Sequence, residues 1–400
     1  MKSKRLGPGL LIAAAFIGPG TVTTACIAGG EFGLSLLWVI VIVTLATILL
    51  QEMAARLGVL TGQGLGENLR RQFSSPAVRW AIAALIAIAI GFGNAAYQTG
   101  NLIGAALGLE AMLPIGLTTW VLCIAAIASL LLASGSYRMI ENGLIGLVAL
   151  LGLTFLLAAV VSLWHRPIAW SDTLPNIPSG SLVTILALLG TTIVPYNLFL
   201  HASAAGHRWS KHRPRGEGIR LARRDTIISL SIGGMITAAI LVTAATMQGS
   251  PPEKVADMAA SLQGALGSSL AYGLFFAGLA AAGLTSAVTA PLAAAYAISG
   301  AMGWSTDEKQ WSFRAIWITI MAFGTLLAVT LGHQPLQTLL VAQAANALVL
   351  PVIVAFLLMA CNAKLLGQYR NATWLNVCGG VVLLVVTGLS LWKLYEAAAG

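Results

Sequence analysis

The sequence predicts an all-α integral membrane protein: a single membrane domain over residues 1–400, built as an inverted repeat of two five-helix units plus an eleventh helix. Three observations carry this. The 400-residue chain is 58% hydrophobic and only 9% charged, against about 25% charged in soluble domains, so most of its surface must face lipid. Apolar stretches of the roughly 20 residues that a spanning helix needs recur along its whole length. Two of them, the first and the sixth, are interrupted by proline and glycine near mid-span.

The stretches fall near 8–30, 34–57, 77–108, 114–134, 142–164, 181–206, 225–248, 266–302, 314–332, 335–362 and 372–395. The third and eighth are long enough to be expected to include extramembrane turns. No polar leader or cleavage site precedes the first, which reads as a retained span and not a signal peptide. With the N-terminus in the cytoplasm and strict alternation, only Arg166, Lys254 and Lys393 of the 22 basic residues fall outside. That is a strong positive-inside bias. It predicts a multi-pass protein of the cell (plasma or inner) membrane, N-terminus cytoplasmic and C-terminus extracytoplasmic. The net charge of +9 therefore reads as topology, with attraction to anionic lipid as a secondary effect and no nucleic-acid partner, even in the basic segment 207–224. The four cysteines, Cys26, Cys123, Cys361 and Cys378, lie in or at the ends of apolar segments. They read as small core residues, without a disulfide or zinc pattern.

The first span meets Gly18-Pro19-Gly20 before resuming at Thr21, and the sixth runs Gly190-Thr191-Thr192-Ile193-Val194-Pro195-Tyr196-Asn197. Proline removes a backbone donor and clashes with the preceding turn, and glycine permits non-helical angles. Backbone groups freed at that depth must line a cavity or be buried in protein. Pro291 and Pro351, standing singly, read as simple kinks. Five helices separate the two breaks, and an odd number makes the second copy enter the membrane from the opposite side. The units are then 8–164 and 181–362, with 372–395 as the addition. Paired interruptions at equivalent places point to the substrate site of a secondary transporter working by alternating access, so the breaks are expected to face each other near the midplane. A channel or a receptor is the alternative at this level.

The runs Gly18-Pro19-Gly20-Thr21-Val22-Thr23-Thr24, Gly33-Leu34-Ser35-Leu36-Leu37-Trp38 and Gln51-Glu52-Met53-Ala54-Ala55-Arg56 resemble helices 1 and 2 of the Nramp family of divalent-metal transporters. So does Gly190 to His201 in helix 6, with Thr285-Ser286 in helix 8 and Gln343 in helix 10. The resemblance implies the LeuT-like fold, with a solute site between helices 1 and 6. The family's helix 1 motif, Asp-Pro-Gly-Asn, meets Gly18, Pro19, Gly20 and Thr21 here. Its helix 6 motif, Met-Pro-His, meets Val194, Pro195 and Tyr196. In helix 3, where family members often carry carboxylates thought to relay protons, stand Gln98 and Asn101, while His201 matches a family histidine. The resemblance thus implies a divergent member lacking the metal-binding Asp, Asn and Met.

All thirteen acidic residues sit in loops or near helix ends, away from both breaks, whereas hard divalent cations favour carboxylate oxygens. What remains is a site rich in hydroxyls and amides. The substrate-binding candidates are Gly18, Gly20, Thr21, Thr24, Thr191, Thr192, Val194, Tyr196, Asn197 and Gln343, with Thr23 and Asn346 beside them. His201, Gln98 and Asn101 are candidates for a proton relay or gate. His201 reads equally as a neutral histidine bonded to a carbonyl, and Tyr196 as a gate or as packing. The half-helices following the breaks present positive dipole ends to the cavity. These features predict a transporter for a small neutral, zwitterionic or anionic solute, with no metal ligands and no tight Mn²⁺ or Fe²⁺ binding. The alternative is a divalent metal cation transporter using carbonyl, Thr, Asn and Gln ligands for a partly hydrated ion such as Mg²⁺. A third reading is a non-transporting sensor or inactive paralogue. An enzyme is not expected: no nucleophile–base pair appears, and Gly62-Gln63-Gly64-Leu65-Gly66 lacks the strand context of a nucleotide fingerprint. No cofactor is expected, and the partners are the solute or ion and the lipid bilayer.

Overall fold

The computed structural model describes residues 7–9, 12–13, 17–134, 138–165, 170–210, 214–246, 254–267 and 269–399. These are almost entirely helical. In chain order the helices are α1 (Pro19–Phe32), α2 (Leu37–Thr61), α3 (Leu65–Gln72), α4 (Pro76–Met112), α5 (Leu117–Ser134), α6 (Arg138–His165), α7 (Leu182–Thr192), α8 (Pro195–Trp209), α9 (Arg215–Ala245), α10 (Val255–Leu266), α11 (Ser269–Met302), α12 (Trp311–Leu331), α13 (Pro335–Leu348), α14 (Leu350–Cys361) and α15 (Thr373–Ala399). Ten helices or helix pairs among the described residues are long and apolar enough to cross a membrane, and they coincide with the second to eleventh expected spans. Of the first span, residues 10–11 and 14–16 lie outside the described residues, as do Lys2, Lys4, Arg5, Arg166, Lys211 and Arg213 among the basic residues.

Boundaries follow local chemistry. Proline occupies the first turn of α1, α4, α8, α13 and α14, where its missing N–H has no intrahelical acceptor to lose. Gly62, at φ +69°, closes α2 in the left-handed conformation that L side chains avoid. The expected turn within the third span is absent. α4 is one continuous helix of 37 residues, about 55 Å at 1.5 Å per residue. Its polar residues Asn94, Gln98 and Asn101 are buried within the helix run, and Gln98 bonds across to α11 and α12. In the eighth span the turn comes earlier, at Gly267, and α11 then runs without interruption through Pro291. The tenth span bends at Val349, with Pro351 in the first turn beyond.

The broken spans form the centre of the bundle. Every residue from Pro19 to Gly29 is buried, as are all of α7 from Thr184 and α8 from Pro195 to Ala202. Around them, helices such as α4, α5, α12 and α15 turn Ile88, Leu130, Leu326 and Leu384 outward, the lipid-facing belt that the composition required. α2 meets α8 backbone to backbone, because a Cβ on Gly58 would collide with the Ala202 carbonyl. This is the close approach that small residues allow between membrane helices. At the end of α2, Glu52 bonds Arg223 of α9 at 2.8 Å and Arg56 at 3.4 Å. Arg56 in turn donates to the Tyr369 carbonyl and to Asn371 Oδ1 at 2.5 and 2.6 Å. One ion cluster thereby ties α2, α9 and the 364–371 connection together.

The short helix α3 carries Glu67 against Gly300 of α11. Burial raises the pKa of this carboxyl above its ordinary value of 4.5, against lowering contributions from the backbone N–H groups of Glu67 and Gly64 and from His207 and Arg71. A raised folded-state value means that folding favours the protonated form, a contribution present in acid and lost as pH rises through that value. Glu67→Gln is therefore expected to raise the melting temperature at pH 7–8 and leave it unchanged near pH 4, read by thermal denaturation at both.

Candidate functional site

Both breaks are real discontinuities. Gly18 is extended (φ −102°, ψ −178°), and α1 starts at Pro19. α7 ends at Thr192, Ile193 (φ −91°, ψ 75°) and Val194 (φ −78°, ψ 118°) leave the helix, and α8 starts at Pro195. The carbonyls at the end of α7 must find partners outside the helix. That of Leu189 accepts from the Ile193 N–H at 2.8 Å, and that of Gly190 accepts from Asn346 Nδ2 at 2.8 Å. The residue whose N–H would reach Thr191 is Pro195, which has none. The Thr191 carbonyl thus lacks the i+4 donor that a continuous helix would give it.

The two breaks meet. Thr21 Oγ1 and Thr191 Oγ1 are 2.7 Å apart, both buried. The Gln343 side chain of α13 lies over Gly20, where a Cβ would collide with its amide. Gly190 packs against the Gln343 carbonyl so closely that a Cβ has no room. The space a side chain at Gly18 would enter is bordered by Ser286 Oγ at 3.2 Å, Tyr97 OH at 3.7 Å and Asn101 Oδ1 at 4.0 Å. Tyr97 stacks edge-to-face on Tyr196 with ring centroids 5.5 Å apart. One locus therefore gathers Gly18, Gly20, Thr21, Thr191, Tyr196, Gln343 and Asn101, with Ser286 and Tyr97 added. Tyr97 carried no sequence signal at all, and Ser286 was only part of a motif.

The remaining candidates are placed as follows. Thr23, Thr24, Thr192, Val194 and Asn197 are all buried along the same half-helices. Gln98 donates to the Ala287 carbonyl at 3.1 Å and to Met321 Sδ at 3.2 Å, and accepts from Asn101 Nδ2 at 3.4 Å, so its amide bridges α4 to α11 and α12. His201 Nδ1 lies 2.9 Å from Gln51 Oε1. An amide oxygen only accepts, so in this arrangement Nδ1 carries the hydrogen. Both amide atoms of Asn197 and of Gln343, the Thr24 hydroxyl and His201 Nε2 are buried without a hydrogen-bond partner. Among the described residues, no three His, Cys, Asp or Glu side chains gather as a metal-binding group. Replacing Asn346 by Leu strips the Gly190 carbonyl of its donor, and an unsatisfied buried group costs about 1–3 kcal/mol. Asn346→Leu is expected to lower thermal stability by that amount, measured in detergent-solubilised protein.

Ten apolar spans, and two helix breaks that meet through buried hydroxyls, define a multi-pass membrane protein with the site geometry of a transporter. The family model described as "Natural resistance-associated macrophage protein-like" matches residues 9–396, and the chain belongs to this Nramp family. It is 32% identical to the divalent metal cation transporter MntH of Nostoc sp. (strain PCC 7120), over 98% of this chain and 91% of that protein. It is 28% identical to MntH of Klebsiella pneumoniae (strain 342), over 100% and 96%. Among solved structures it is similar to a manganese transporter of Eremococcus coleocola, with TM-score 0.76, 24% identity, and 97% and 85% of the two chains covered. It also resembles Mhp1, a nucleobase-cation-symport-1 family transporter, with TM-score 0.59, 15% identity, and 97% and 92% covered. The fold is LeuT-like.

Proposed function

We propose that the protein carries a divalent metal cation across the cell membrane by alternating access, holding it between the two breaks with neutral oxygens. The ligands are the carbonyls of Thr191 and Thr192 and the side chains of Thr21, Thr191, Asn197 and Gln343. One observation carries this reading: Gln343 keeps both amide atoms buried and unpartnered where the helices meet, and Asn197, in the first turn of α8 beyond the break, does the same. Buried polar groups are otherwise almost always hydrogen-bonded, so the pair is arranged for a ligand. The curated relatives, divalent metal cation transporters by name, supply the class. They favour the cation over the neutral or anionic solute that the missing carboxylates suggest.

Gly18, Thr21 and Val194 stand where the family motifs lead one to expect Asp, Asn and Met. A carboxylate-free shell suits an ion that keeps part of its hydration, and Mg²⁺ dehydrates reluctantly and usually retains several waters. Tight Mn²⁺ or Fe²⁺ binding is not part of this reading. His201, hydrogen-bonded to Gln51, serves as a neutral positioning group on α8. The N-terminus is cytoplasmic, the C-terminus extracytoplasmic, and 8–164 and 181–362 are the inverted repeats.

A second reading keeps the small neutral, zwitterionic or anionic solute, and a specific observation favours it. Both α1 and α8 begin at the breaks, so their positive dipole ends face the site without an acidic side chain to offset them. Isothermal titration of the purified protein separates the two. Mg²⁺ binding that Gln343→Ala weakens about tenfold, the loss of roughly one hydrogen-bond-sized contact, supports the cation. Heat of binding from glycine or acetate, with none from Mg²⁺ or Mn²⁺, moves the assignment to the solute.

A further inference from the structure

A cavity of about 730 Å³ opens on the face away from the basic loops, lined by Leu107, Glu110, Lys254, Phe276, His333 and Leu336 among others. Its volume is within the range of small-molecule sites, far more than one hydrated ion needs. Two of its walls continue downward to the breaks. On α13, Leu336, Leu339 and Gln343 follow at spacings of three and four and so share one helix face. On α4, Gly100, Gly104 and Leu107 do the same. The two helices run in opposite directions, since Leu107 and Leu336 line the same cavity while Gly100 meets Gln343. A Cβ on Gly100 would lie 3.3 Å from Gln343 Nε2 and 3.4 Å from Leu339 Cδ2, and Gly104 is filled by the Pro19 ring. The floor of the cavity thus lies about 10 Å, two helical turns, from Gln343. Leu339, which is 1% exposed, stands between them with Pro19.

We infer that this cavity is the outer mouth of the transport path, that Leu339 is the apolar plug sealing it from the substrate site, and that Glu110 is the carboxylate at which a divalent cation first pauses. The inference rests on the proposed site between the breaks. Glu110 accepts the Gly116 N–H at 2.9 Å with Oε2, which steadies the carboxylate and leaves Oε1 for a hydrated cation. Lys254 on the same lining keeps that capture weak, as a conduction mouth requires if the ion is to move on. The path therefore has its negative charge at the entrance and neutral ligands at its centre.

Thiol accessibility tests the plug without reference to any substrate. In a background with the exposed Cys123 and Cys378 changed to Ser, Gln337→Cys, at an exposed position of the cavity lining, is expected to react quickly with a charged methanethiosulfonate reagent and Gln343→Cys slowly. Adding Leu339→Gly should speed labelling of Gln343→Cys at least tenfold, and Leu339→Met, which keeps the volume, should not. An inert Gln337→Cys, or a Gln343→Cys rate unchanged by Leu339→Gly, overturns the plug even if cation transport is established. For Glu110→Gln, Mg²⁺ uptake into proteoliposomes is expected to show a severalfold higher KM at unchanged maximal rate. An unchanged KM removes Glu110 from the entrance. Should no Mg²⁺ uptake occur in the parent protein, the labelling result still stands or falls alone.

Discussion

The triple substitution Gly18→Asp, Thr21→Asn, Val194→Met is expected to raise Mn²⁺ affinity by roughly two to four orders of magnitude. Gly18 has an ordinary extended backbone, φ −102°, so an aspartate needs no left-handed conformation there. The nearest atom its Cβ would meet is Ser286 Oγ at 3.2 Å, a small group that a few tenths of an ångström of movement accommodates. A carboxylate in that position gives a dehydrated cation the charge partner it lacks. Removing one member of a buried charge pair typically costs about 3–5 kcal/mol, and the reverse change recovers a similar amount, at 1.4 kcal/mol per tenfold. The Asn and Met add a further oxygen and a soft sulfur suited to transition metals. Titration of both proteins with Mn²⁺ reads the difference. Equal, weak binding in both would show that these three positions do not form the ion's shell.

The second large effect is structural. Gly190→Val is expected to prevent α7 from seating against α13, with loss of folded protein or a melting temperature lowered by many degrees. At this glycine an added Cβ collides with the carbonyl of Gln343 and lies 2.9 Å from the Ala347 N–H. Both are backbone atoms, which cannot swing aside as a side-chain tip would. Overpacking of a filled core costs about 1–3 kcal/mol and occasionally more. Here it also pulls the Gly190 carbonyl away from Asn346 Nδ2, its partner at 2.8 Å, adding about 1–3 kcal/mol for the unsatisfied group. Gly216→Val, where no atom lies within 4 Å, is the control and should leave thermal stability nearly unchanged. Size-exclusion profiles and thermal denaturation of both variants check the expectation.

Spans and breaks were legible in the sequence because each has a one-dimensional cause. Twenty apolar residues are needed to cross lipid, and Gly18-Pro19-Gly20 and Val194-Pro195 cannot continue a helix. The length of α4 was not legible in the same way. Its length suggested an extramembrane turn, and only the packing of its buried Asn94, Gln98 and Asn101 in the bundle shows one unbroken helix. In the site, Thr21, Thr191 and Gln343 were recoverable because they flank a break or carry an amide in an apolar run. Tyr97 and the Asn346–Gly190 bond depend on distances across helices remote in sequence, which no local pattern encodes. Glu110 was visible as a loop carboxylate, but its place over the path required the pairing of α4 with α13. The choice of substrate was the least legible part. Counting carboxylates turned the reading towards a neutral or anionic solute, while kinship with divalent metal cation transporters turns it back to an ion held by neutral oxygens.

Uptake into proteoliposomes tests that last point most directly, with Mg²⁺, Mn²⁺ and a zwitterion such as glycine each offered to the wild-type protein and to Gln343→Ala. The expected result is Mg²⁺ uptake by the wild type, reduced about tenfold in Gln343→Ala at sub-saturating concentration, a change matching roughly 1.4 kcal/mol, with Mn²⁺ showing no tight saturation. Uptake of glycine with no flux of either cation, or Mg²⁺ flux indifferent to Gln343, would contradict it.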